Sequence, residues 1–257
     1  MDVDALMKQF EDFLDEAHRL KALYAKQITL LVGIETEYIS DVDLEGLTSL
    51  LERVGKRVEY LVGSIHHVRT VPIDFDLPTY GKALELFVPE APSNTDRHEP
   101  FFLEYFDAQY TLLQRFKPEI IGHFDLCRLY TPQIRLSDYP LVWQKIIRNI
   151  QYAVGYGALF EINAAAFRKQ WKTAYPGEEV LEAILSEGGR FALSDDSHGP
   201  HAVGLNYHRA YEYLKGLGVT QIWYLERSDT PNQGDRFVQA VKMEGDWSDH
   251  AFWKRRK

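Results

Sequence analysis

The sequence predicts an α/β fold of barrel type. Short apolar runs alternate with helical stretches, and successive runs end in ionisable or amide side chains. Neither GxGxxG nor GxxxxGK[ST] occurs. Alternation of this kind implies a parallel sheet or a barrel. Function gathered at the C-terminal ends of several strands is the habit of (β/α) barrels. A doubly wound sheet instead gathers it at one switch point, usually beside a glycine-rich loop.

The first element is a helix over Asp2 to Lys26, where Leu6, Phe10, Phe13, Leu14, Ala17, Leu20 and Tyr24 recur at helical spacing. "ITLLVGIETEY" follows, and its continuous apolar run from Ile28 to Ile34 reads as a strand buried on both faces that ends in Glu35. The same design recurs four times. "VEYLVGSIHH" ends in His66 and His67, "EIIGHFD" in His123 and Asp125, "ALFEIN" in Glu161 and Asn163, and "RFALSDDSH" in Asp195, Asp196 and His198. Helices are expected near Leu44–Val54, Phe101–Phe116, Tyr139–Val154, Val180–Glu187 and Tyr207–Leu217, with a late strand in "VTQIWYLER". No internal repeat or linker interrupts the pattern, so residues 1–257 are expected to form one domain. The proline-rich stretch 88–100 reads as an inserted loop.

The 257 residues are enough to bury a sizeable core, and 45% are apolar, too many for disorder. A net charge of −9 argues against broad binding to nucleic acid or anionic membrane. The lone cysteine, Cys127, allows no internal disulfide and suits a reducing compartment. No run is long enough to span a bilayer, and the first residues lack the regions of a secretory signal. A cytoplasmic protein is expected.

The strand ends collect Glu35, His66 or His67, His123, Asp195 or Asp196, and His198. Mixed imidazole and carboxylate donors suit Zn, Mn or Fe, and a carboxylate can bridge two such ions. Taken singly, a strand-end histidine is more often a hinge residue and a glutamate a cap. Five recurrences at the same end of successive strands are hard to explain that way.

"GIETEY", "GSIHHVRTVPIDFD", "IIGHFDLCR", "EINAAAFRK" and "LSDDSHGPHAVGLNY" resemble, in order, motifs of the histidinol-phosphatases of the PHP (polymerase and histidinol phosphatase) superfamily, fungal type. The resemblance implies a seven-stranded (β/α) barrel with up to three divalent ions. It implies hydrolysis of a small phosphate ester, L-histidinol phosphate, to L-histidinol and phosphate. By motif, Glu35 resembles a bridging carboxylate, and His66, His123, Asp196 and His198 resemble metal ligands. Asp195 receives no role. Arg168 resembles a phosphate-binding arginine, a role that suits a planar guanidinium. His67 is expected on the opposite side of its strand from His66, as a substrate or outer group. Asp74 and Asp76 are candidates for the substrate's cationic amine, or ordinary turn carboxylates.

The family pattern opens with a His-x-His motif, and this chain contains none. The resemblance therefore implies a barrel lacking its first one or two strands, fewer ions than three, impaired turnover and an unpaired edge at residues 28–35. The alternatives are a PHP phosphoesterase with another substrate and a non-catalytic homologue that binds a partner.

Overall fold

The computed structural model describes residues 3–87 and 95–254. In chain order the elements are α1 (Val3–Leu23), β1 (Gly33–Glu35), α2 (Asp41–Val54), β2 (Tyr60–Gly63), β3 (His67–Val68), β4 (Val71–Pro72), α3 (Leu77–Glu85), α4 (Thr95–Phe116) and β5 (Ile120–Ile121). They continue with α5 (Pro140–Tyr156), β6 (Leu159–Asn163), α6 (Ala165–Arg168), α7 (Glu178–Ser186), β7 (Arg190–Ser194), α8 (Tyr207–Gly216), β8 (Trp223–Arg227), β9 (Val238–Lys242) and α9 (Ala251–Lys254).

Five strands form a parallel sheet in the order β1-β2-β5-β6-β7. Each strand lies beside the previous one of the sheet, so the winding never reverses and no switch point arises. All five C-terminal ends therefore point to one edge. β1 and β7 are the two flanks and do not pair with each other, so the sheet is open rather than a closed seven-stranded barrel. β6 is buried at every residue, as a parallel strand covered on both faces should be. One covering layer is α4 and α5, which bring Phe101, Phe102, Tyr105, Phe106, Val142, Ile146 and Ile150 into the core.

The expected strand over Ile28 to Ile34 is only partly formed. Regular pairing begins at Gly33, and Ile28 is exposed rather than buried. β1 has a neighbour on one side only, so Ile28 to Val32 meet no continuous ladder. Glu59 N–H donates to the Val32 carbonyl at 2.7 Å and closes the last of this segment. The late strand, β8, does not join the parallel sheet either. It pairs antiparallel with β9 in a separate hairpin.

The expected loop at 88–100 lies outside the described residues over 88–94, and residues 95–100 are the opening turns of α4. β3 and β4 make a small antiparallel hairpin whose two linking residues, Arg69 and Thr70, both have positive φ (47° and 67°). That geometry is what a two-residue hairpin turn requires. No described helix is long and apolar enough to cross a membrane.

Candidate metal centre

β1 ends in Glu35, β2 runs through Ser64 and Ile65 to His66, and β5 is followed by Gly122 and His123. The three side chains converge at the C-terminal edge of the sheet. Glu35 Oε1 lies 3.0 Å from His123 Nε2 and 3.4 Å from His66 Nε2, and the two Nε2 atoms are 3.0 Å apart. One ligand atom from each lies within 4.8 Å of the others, the single such cluster among the described residues. The parallel strands β2 and β5 lie tightly side by side here. A Cβ on Gly122 would sit 2.3 Å from Ser64 Oγ, so only glycine lets the two strand ends approach this closely.

Charge holds the cluster together. Burial opposes ionisation of Glu35, but hydrogen bonds from His123 and His66 outweigh it and keep the carboxyl well below its usual range. Burial likewise opposes a charge on His66, yet Glu35 and Glu37 push its pKa up to about 10. His123 moves upward too, against its burial, chiefly through Glu35. Three lone-pair donors crowded on one point around a positive charge fit a divalent cation, which would replace those protons.

Supporting groups sit behind the three. Glu37 Oε2 lies 2.8 Å from His66 Nδ1. Glu161, buried on β6, accepts the His123 backbone N–H at 2.7 Å and the Asn163 side-chain amide at 3.0 Å. Asn163 in turn accepts the Ala165 N–H at 2.7 Å, which fixes the start of α6 and hence Arg168. Asp125, another strand-end carboxylate, is turned inward: Oδ2 accepts from Arg128 at 2.5 Å and from Gly177 N–H at 2.9 Å.

A cavity of about 380 Å³ opens over the cluster. Its wall includes Glu35, His66, His123, Arg168, Asp196 and His198. Asp196 and His198 stand on that wall but outside the three-residue cluster. The His198 side chain is 83% exposed, and its Nδ1 is 3.0 Å from the Asp196 carbonyl. Arg168 donates Nη1–H to the Asp195 carbonyl at 2.7 Å and Nη2–H to that of Asp196 at 2.8 Å, bracing a loop in which Asp196 has φ of 49°. Five N–H donors leave this guanidinium three for a ligand. The Asp195 side chain accepts N–H groups of its own loop, from Ser197 at 3.1 Å and from Gly204. His67 is not on the cavity wall. Its Nδ1 lies 3.2 Å from Glu37 Oε1, on the same carboxylate that His66 Nδ1 meets at 2.8 Å. Tyr175, Asp74 and Lys169 also line the cavity, and nothing in their local sequence places Tyr175 or Lys169 there.

The PHP domain family matches residues 4–165 of the chain. Over 246 residues the chain is 45% identical to the "Probable histidinol-phosphatase" of Schizosaccharomyces pombe, covering 95% of this chain and 77% of that one. It is 30% identical to the "Histidinol-phosphatase" of Saccharomyces cerevisiae, over 89% and 75% of the respective lengths. Its fold is similar to a crystal structure of histidinol phosphate phosphatase from Lactococcus lactis complexed with Zn, L-histidinol and phosphate. There the TM-score is 0.60 at 16% identity, covering 88% of this chain and 78% of that one.

Proposed function

The chain belongs to the PHP domain family, and from that premise we propose that it is a metal-dependent phosphatase hydrolysing L-histidinol phosphate to L-histidinol and phosphate, a step of histidine biosynthesis. The observation that carries this reading is the convergence of Glu35, His66 and His123 at 3.0–3.4 Å in one cavity with Arg168.

Those three residues would hold a divalent ion, and Zn, Mn or Fe suits their mixed donors. A bound ion acidifies water and draws charge from a phosphoryl oxygen. Asp196 and His198 are the wall residues for a further ion, and with no His-x-His in the sequence fewer ions than the family's three are expected. Arg168 offers its remaining N–H groups to the phosphate, while its bonds to the Asp195 and Asp196 carbonyls keep it in place. Glu161 and Asn163 hold the His123 backbone and the start of α6 beneath the site. The substrate is a small molecule, in keeping with a net charge of −9 that repels nucleic acid and anionic membrane. We place the activity in one domain, in the cytoplasm.

Phosphate release from L-histidinol phosphate, with metal content read by elemental analysis, tests the reading. Glu35→Gln and His123→Ala should each lose bound metal and about 100-fold or more in kcat/KM. Arg168→Ala should raise KM or lower kcat with metal content unchanged. Release by Glu35→Gln at the wild-type rate would overturn the proposal.

A further inference from the structure

α1 carries two apolar faces, and the domain covers only one of them. The covered face centres on Leu14, which is fully buried, and polar neighbours fasten it. Glu11 accepts from Arg53 Nη2 at 2.7 Å, Asp15 accepts from Arg57, and Lys21 donates to Glu59. His18 Nε2 lies 2.8 Å from the Arg57 carbonyl.

The second face lies about a quarter-turn round the helix from the first. Leu6, Phe10, Phe13, Ala17, Leu20 and Tyr24 follow one another at alternating steps of four and three residues. That is the a/d spacing of a coiled-coil seam. Tyr24 belongs to it although α1 ends at Leu23, because its N–H still bonds to the Leu20 carbonyl at 2.9 Å. Leu6, Phe13 and Tyr24 are 47%, 49% and 41% exposed, and Phe10, Ala17 and Leu20 are half-buried beside them. A single exposed apolar residue needs no explanation, but a row of them on one seam marks an interaction surface.

The seam is complementary to itself. Its midpoint falls at residue 15, so in an antiparallel mate positions equally far from that point meet. Leu6 then faces Tyr24, Phe10 faces Leu20, and the bulky Phe13 faces the small Ala17, each across the two-fold axis. The charges agree with this direction. Along the solvent edge of the seam Lys8 pairs with Asp12 at 2.9 Å and Arg19 with Glu16 at 2.7 Å, so the edge is neutral. Antiparallel pairing brings Arg19 level with Asp12, and each of the two Glu16 side chains that meet at the axis keeps its own Arg19. Parallel pairing would set Asp12 on Asp12 and Phe13 on Phe13, and would align the two helix dipoles unfavourably. An isolated helix of this length is marginal in water. α1 is already held in shape by its covered face, so pairing costs little ordering.

We propose that two copies of the chain associate through this face, α1 against α1 and antiparallel about a two-fold axis. No residue of α1 lines the cavity over the metal centre, so both cavities stay open in the dimer. The contact is isologous and closes at two copies.

Sedimentation equilibrium of the full chain should show a mass rising with concentration from 29.8 kDa to twice that value and no further. Phe13→Glu places two charges in the layers beside the axis and should weaken the dimer about 100-fold or more. Val42→Glu, at an apolar residue of α2 that is 74% exposed but off the seam, should leave the dimer intact. An unchanged far-UV CD spectrum in Phe13→Glu separates lost pairing from lost folding. Cross-linking reads the register without relying on that variant. Cys127 is buried, so an added cysteine is the reactive thiol. Glu16→Cys meets its own copy at the axis and should form a disulfide dimer under mild oxidation. Leu6→Cys should not, because its copy sits at the other end of a seam about 27 Å long. A chain that stays at 29.8 kDa at every concentration would overturn the proposal. So would a mass growing past the dimer, a dimer indifferent to Phe13→Glu, or cross-linking of Leu6→Cys in place of Glu16→Cys.

Discussion

Glu37 serves two histidines with one carboxylate. Oε2 accepts from His66 Nδ1 at 2.8 Å, and Oε1 lies 3.2 Å from His67 Nδ1. Placing the His66 proton on Nδ1 leaves the Nε2 lone pair facing Glu35 and His123, the tautomer a metal ligand needs. Glu37→Ala should therefore weaken zinc binding about 10–100-fold, and Glu37→Gln less, as read by competition with a chelating dye. Equal affinities in all three proteins would show that His66 orients itself. The sequence held a signal for this residue. Glu37 follows Glu35 by two positions, which in extended chain returns to the same side, yet "ETEY" draws attention only to its first carboxylate. The cluster residues were legible because each closes an apolar run. Asp196 and His198 were read as metal ligands beside them, and they stand instead outside the three-residue cluster, on a loop turned by a positive φ at Asp196.

Helices follow the periodicity closely: α5 spans Pro140–Tyr156 against an expected Tyr139–Val154, and α8 Tyr207–Gly216 against Tyr207–Leu217. Strands follow it less well, because a strand extends only as far as its neighbour offers a ladder. Ile28 to Val32 are apolar enough for a strand but lie beyond the regular pairing of β1. What fastens this flank is Glu59. Its Oε2 accepts from Lys21 of α1 and from Val32 N–H at 2.8 Å, and its Oε1 accepts from Arg227 of β8 at 3.1 and 3.2 Å. Burial raises the Glu59 pKa, but Lys21, the Val32 N–H and Arg227 outweigh it and hold the group below its ordinary value. A carboxyl depressed in the folded state contributes stability that is complete above its unfolded pKa, near 4.5, and is lost as the pH falls through the folded value. Glu59→Gln should thus cost about 1–3 kcal/mol in urea unfolding at pH 7, with the gap to wild type narrowing below pH 4.5. A gap independent of pH would mean that packing, not charge, holds the flank.

Alternation of strand and helix made the parallel sheet readable across the whole molecule, and the shared polar ends made its active edge readable. The antiparallel β8–β9 hairpin was not, because β9, though as long as β8, is the mixed stretch "VQAVK" rather than an apolar run. That hairpin is joined to the floor of the sheet by a buried ion pair. Arg236, which precedes β9, donates Nε–H to Glu119 at 2.7 Å and Nη2–H to the carbonyls of Phe116 and Lys117 at 2.9 and 2.7 Å. Glu119 also accepts the Leu61 N–H at 2.8 Å and the Asn232 amide at 2.6 Å. Arg236→Ala should cost about 3–5 kcal/mol in urea unfolding, because it strands a carboxylate that is only 5% exposed. Adding Glu119→Gln should recover part of the loss, and additive losses in the double variant would show that the two charges do not act as a pair. The strand order carries a consequence for synthesis. A ribosome delivers each strand of the sheet next to the one it has just released, so the sheet can assemble in the order of translation. Glu119 is the exception. Its counter-charge is encoded 117 residues later, so a nascent chain carries that carboxylate uncompensated until Arg236 leaves the exit tunnel.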